Sequence, residues 1–121
     1  MPQHNKVTMN VRAAGDSISI IDIQGEVTVH AENLLADAFA QASANARAVV
    51  LNFSGLDYMN STGIGLLVTL LIRAQRQQIR MMAFGLSDHY QQIFELTRLN
   101  EAIVLFPTEV DALASLNTTH A

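Results

Sequence analysis

The residues of this chain that could do chemistry are four histidines, a carboxylate in a turn, two closely spaced glycines and a run of short polar side chains before a helix. His4, His30, His89 and His120 are scattered, with no His-x-x-x-His pair and no spacing that would gather metal ligands. His30 and His89 stand at or just before predicted helix starts, where a histidine serves as an exposed or capping residue. The chain has no cysteine, which removes a thiolate ligand, a thiol nucleophile and a disulfide framework together. Asp57 could act as a general acid, but no second carboxylate accompanies it in the motif, so it is expected to be a solvated loop carboxylate. Gly63-x-Gly65 after Ser61 hints at a phosphate-binding turn. It lacks the lysine of a G-x-x-x-x-G-K-[ST] loop and the third glycine of a dinucleotide fingerprint. No enzyme, cofactor or metal centre is expected.

That leaves Asn60-Ser61-Thr62-Gly63. Short oxygen-bearing side chains directly before an apolar series mark a helix start, because a side-chain oxygen there accepts from N–H groups that the first turn leaves unpaired, worth about 1 kcal/mol. Capping alone would explain all three polar residues. A phosphate on the same hydroxyl would be held by those N–H groups and by the positive end of the helix dipole, so the position also tolerates phosphorylation without unfolding. The residue types leave both readings open.

The elements that must position this turn can be read from periodicity. Ala48 to Phe53 is a short, β-branched apolar run, the pattern of a strand covered on both faces, broken by Ser54-Gly55. Ile64, Leu67, Val68, Leu71 and Ala74 recur at helical spacing and line one face of a helix running to about Gln77. Leu66 and Leu70 lie off that stripe and are either partner surface or part of a wider buried face. Upstream, Val7, Met9 and Val11 alternate with polar residues as a half-buried strand. Gly15-Asp16 turns the chain, and Ile18, Ile20, Ile21 and Ile23 form a second strand that Gly25 ends. Glu26 to Val29 suits a brief further strand, and Glu32 to about Ala44 an amphipathic helix. Downstream, Arg80 to Phe84 is a strand reached by a crossover, which should be right-handed. Ser87 caps a third helix with Tyr90, Ile93, Phe94 and Thr97 on one face and Leu96 and Leu99 extending it. Ile103 to Phe106 is a last strand before Pro107, and Thr108 with Asp111 opens a fourth helix through Leu116. The expected fold is a single α/β domain over residues 7–116: a mixed sheet with an N-terminal hairpin and about four helices, between flexible segments at 1–6 and 117–121.

Composition narrows the function. At 121 residues, one core is expected; 15% charged residues is sparse for a surface and suggests a partner-facing region. A net charge of −4 opposes a nucleic-acid footprint. Arg73, Arg76 and Arg80 are close together, but their helical spacing reads as a solvated face. The longest apolar run, Ile64 to Ile72, falls far short of the ~20 residues that span a bilayer, and residues 1–12 lack the apolar stretch of a signal peptide. A cytoplasmic location is expected. Self-association through an exposed edge such as the first strand stays open.

The segment LNFSGLDYMNSTGIGLL, Leu51 to Leu67, resembles the signature of STAS domains of the anti-sigma-factor-antagonist type, in which a strand is followed by a small spacer and Asp-Ser-[ST]-Gly-hydrophobic-Gly. Ile23-Gln24-Gly25-Glu26-Val27 is similar to the family's strand-Gly-Glu segment, and Phe84-Gly85-Leu86-Ser87 to a later loop. The resemblance covers about residues 7 to 116. It implies a STAS fold and a non-enzymatic switch that binds an anti-sigma factor with serine-kinase activity and is inactivated by phosphorylation at Ser61, with Thr62 the second candidate. It also implies a docking surface of Glu26, Val27, Thr28, Asn60, Ser61, Thr62, Gly63, Ile64, Gly65, Leu86 and Ser87. Asn60 stands where the family usually has Asp, and Thr28 where an acidic residue is common. Both departures motivate an alternative: a constitutive adaptor in a signalling scaffold or transport complex, with Ser61 only a helix cap.

Overall fold

A computed structural model describes residues 6–117; of the flexible segments expected at 1–6 and 117–121, all but Lys6 and Asn117 lie outside the described residues, and Asn117 is helical. Strand β1 is Val7–Ala13 and β2 is Ile18–Val27, followed by a 3-10 turn at Val29–Ala31 and helix α1 at Glu32–Ser43. Then come β3 at Ala48–Met59, α2 at Ser61–Arg76, β4 at Arg80–Phe84 and α3 at Asp88–Leu96. A second 3-10 turn at Leu99–Glu101 leads to β5 at Val104–Phe106 and α4 at Glu109–Asn117. The five strands form one sheet in the order β1-β2-β3-β4-β5, with β1 antiparallel to β2 and the rest parallel.

The near-continuous apolar runs of the central strands reflect burial on both faces. Ile21, Ile23, Val49, Leu51, Phe53, Met81 and Ala83 face the larger core under α1, α2 and α3. Their alternates Ile18, Ile20, Ala48, Val50, Met82 and Phe84 face a smaller core under α4, through Ala112 and Leu116. Three crossover helices on one face leave the opposite face to one short helix.

Several expectations need correction. Glu26 to Val29 is not a separate strand. β2 continues through Gly25, whose φ of +96° allows a bulge, and pairs on to Val27 opposite Met59. Because β2 runs on, β3 runs beside it past Ser54-Gly55 to Met59 rather than ending at Phe53. The buried stripe of α2 is Gly63, Leu67, Leu70 and Ala74, while Val68 is 38% exposed. Leu70 is therefore core, and Leu66 is partly buried against it. Leu96 does not extend the buried side of α3. As the last residue of the helix it is 84% exposed, and Leu99 takes the place in the core. Arg73 is not simply solvated, since its guanidinium lies 5.0 Å from the centre of the Phe39 ring.

Helix α4 is pinned to the hairpin by charge. The Arg12 guanidinium donates to both carboxylate oxygens of Asp22 at 2.8 and 3.0 Å and to both of Glu109 at 2.7 and 3.1 Å. Asn52 adds a bond to Asp22 at 2.8 Å. Hydrogen bonds from Arg12 hold both carboxyls below their ordinary pKa values. A depressed carboxylate pKa contributes stability that is complete above the ordinary value of about 4 and is lost as the pH falls through the folded value. The Arg12–Glu109 pair is more than a third exposed, so Glu109→Gln should lower unfolding stability by only about 0.5–1 kcal/mol at pH 7. In urea titrations the gap between variant and parent should close on acidification; a gap that persists in acid would contradict this origin.

Candidate functional site

The Asn60–Gly65 turn lies at the C-terminal end of β3, beside the end of β2. Asn60, extended at φ −99°, is the N-cap of α2, and its side-chain oxygen accepts the Gly63 N–H at 2.9 Å. Its own N–H donates to the Val27 carbonyl at 3.4 Å, which fastens the turn to the end of β2. Ser61 is therefore the first helical residue and not the cap. Ser61 and Thr62 are both exposed, and neither hydroxyl makes a hydrogen bond among the described residues. The first turn of α2 contains no acidic residue, so the positive end of the helix dipole there is uncompensated by a side-chain charge.

The two glycines of the motif differ. A Cβ at Gly63 would collide with the Val27 carbonyl oxygen and lie 2.8 Å from Met59 Cγ, whereas one at Gly65 would meet nothing within 4 Å. Gly63 lets the helix tip sit against the backbone of β2, and that seat sets the rotation of α2 described above. Gly65 is exposed and has no packing reason within the chain.

Other predicted site residues divide by exposure. Val27, Thr28, Gly63 and Leu86 are buried, Glu26, Asn60 and Ile64 are half-buried, and Ser87 is exposed. Thr28 faces inward, where its hydroxyl caps the 3-10 turn by accepting the His30 N–H at 3.3 Å. Ser87 caps α3 by accepting the Tyr90 N–H at 3.5 Å. Gly85, at φ +80°, packs against Ser54 and brings the Leu86–Ser87 loop beside β3. Leu86, Gln91, Leu105, Phe106 and Pro107 line a cleft of about 280 Å³ on the far side of that loop. Sequence reasoning missed Tyr58, which is 47% exposed near the end of β3, whereas Val29, 53% exposed, belongs to the Glu26–Val29 segment already expected to dock. Tyr58 carries no signal of its own, because the extension of β3 past Gly55 depends on pairing with β2.

Among the described residues no group of histidines and carboxylates is placed to hold a metal ion, and no helix is long and apolar enough to cross a membrane. His30 and His89 are exposed. Asp57 is exposed as well, and lies on β3 rather than in a loop.

If Asn60 provides the cap, replacing it removes a defined bond. Asn60→Ala should cost about 1 kcal/mol of stability and speed exchange of the Gly63 amide. An unchanged denaturation midpoint would show that the cap is not needed.

A mixed five-stranded sheet, three helices on one face, and a capped helix tip carrying an exposed Ser-Thr-Gly define a domain class, and the sequence model of the STAS domain matches residues 10–112. The chain belongs to the STAS domain family. It is 35% identical over 85 residues to the protein of Bordetella bronchiseptica described as putative anti-sigma factor antagonist BtrV, covering 68% of this chain and 72% of that one. Its fold matches an anti-sigma factor antagonist from Mycobacterium paratuberculosis with a TM-score of 0.80 at 20% identity, over 97% of this chain and 99% of the other. It also matches the Bacillus cell-fate determinant SpoIIAA at 18% identity in both forms. The unphosphorylated form gives a TM-score of 0.73 over 92% of this chain and 99% of that one, and the phosphorylated form 0.67 over 90% and 99%.

Proposed function

We propose that this chain is an anti-sigma-factor-antagonist switch. In its unphosphorylated form it docks on an anti-sigma factor that is also a serine kinase, and a phosphate on Ser61 ends the docking. The observation that carries this reading is the division of labour at the helix tip: Asn60 makes the cap, so the Ser61 hydroxyl stays exposed and unpaired for modification. The docking surface comprises Glu26 to Thr28, Asn60 to Gly65, and Leu86 with Ser87. Its buried members shape the backbone and its exposed members make contact. A helical glycine costs about 1 kcal/mol relative to alanine. With open space above it, Gly65 is accounted for by close approach of a partner. The phosphate would place about −1.5 to −2 charges at the centre of that surface, where an interface must desolvate it.

The adaptor alternative is weaker on one point, because it gave Ser61 the cap that Asn60 holds. The test is incubation with ATP and the cognate anti-sigma factor, followed by mass-spectrometric mapping. A single phosphate on Ser61 is expected. Modification of Thr62 or another residue, or none by a kinase active on a control substrate, would contradict the assignment.

A further inference from the structure

Tyr90 lies on α3, remote in sequence from the Asn60–Gly65 turn, and is 8% exposed. Two hydrogen bonds run through it to different segments. Its backbone N–H donates to the Ser87 hydroxyl, and its own hydroxyl accepts the Met59 N–H at 2.9 Å. The second bond fills a gap in the sheet. β4 pairs with β3 only over Ala48 to Asn52, so the later part of β3 has β2 on one side and no strand on the other. The Asn60 N–H turns toward β2 and reaches Val27, while the Met59 N–H turns to the open side. A buried N–H requires an acceptor, and the Tyr90 hydroxyl supplies it.

We propose that Tyr90 is a positioning residue that holds the β3–α2 turn and the Leu86–Ser87 loop as one rigid docking surface, so that a protein partner meets Ser61 and Ser87 at a fixed separation. The inference rests on the docking reading given above. A chain of direct contacts supports it. Ser87 caps the helix through Tyr90, Tyr90 holds Met59, Met59 packs against Gly63, and Asn60 joins Gly63 to Val27. A surface already ordered in the free protein spares the partner the entropic cost of ordering it. Without the hydroxyl, the Met59 N–H is buried and unpaired, and both segments open more often.

The test uses Tyr90→Phe, which retains the ring, with Phe94→Leu as a control that loosens the same helix without touching the hydrogen bond. Amide hydrogen exchange on the free protein is scaled to the core amides of Val50 and Leu51. In Tyr90→Phe, exchange of the hydrogen-bonded amides of Asn60, Gly63, Tyr90 and Gln91 should run about tenfold faster than in the parent, with no such local excess in the control. The apparent KM of the anti-sigma kinase should rise about tenfold while kcat stays within about twofold. A uniform rise across the sheet, or one confined to the Met59 amide, would overturn the proposal and leave the hydroxyl a contributor to stability alone. If the parent chain is not phosphorylated although exchange shows the coupling, the docking reading fails and Tyr90 ties the segments for structural reasons only.

Discussion

Gly63→Ala is expected to destabilise the domain by about 2–4 kcal/mol, because the added methyl meets backbone and not a side chain that could rotate away. The Val27 carbonyl is in its path, and that carbonyl is also the acceptor for Asn60. Relief requires α2 to lift off the end of β2, which disturbs the packing of Leu67, Leu70 and Ala74, all buried on the same stripe. Gly65→Ala, two residues on, is expected to have the opposite sign. Nothing lies within 4 Å of its Cβ, so the change should raise stability by about 0.5–1 kcal/mol through helix propensity. Urea denaturation of the two variants checks the pair. Equal effects, or a neutral Gly63→Ala, would show that the helix tip does not sit where it is described.

Ser61→Asp is the second large effect, and it separates stability from binding. A negative charge in the first turn of α2 interacts favourably with the helix dipole, so the free protein should gain about 0.3–1 kcal/mol. At a docking surface the same charge must be desolvated without a counter-charge, which costs about 3–5 kcal/mol and corresponds to a loss of at least about 100-fold in affinity for the anti-sigma factor. Ser61→Ala should bind like the parent and accept no phosphate. A thermal melt with calorimetric titration reads both quantities. Loss of stability in Ser61→Asp together with weaker binding would assign the defect to misfolding rather than to charge.

Much of the fold was legible because its determinants are local. The buried strand at Ile18 to Ile23, the crossover from β3 to β4, and the cap at Ser87 all follow from residue type and spacing. What escaped depends on neighbours distant in sequence. Gly25 reads as a stop, yet with β3 alongside it becomes a bulge that carries β2 to Val27. The rotation of α2 is set by contact between Gly63 and β2, and so Val68 and Leu70 exchange the roles their spacing suggested. At the candidate site, the polar triplet was visible, but which of its residues caps the helix was not. That depended on the extended backbone of Asn60. The bond from Met59 to Tyr90 links two elements that no periodicity joins.

The central claim is that the Ser61 tip binds an anti-sigma factor and that a phosphate there abolishes binding. The most direct measurement is calorimetric titration of the anti-sigma factor with the unphosphorylated chain and with the chain phosphorylated on Ser61 alone. Stoichiometric binding by the first, and affinity at least about 100-fold weaker for the second, is the predicted result. Equal affinity of the two forms, or no binding by either, would contradict it.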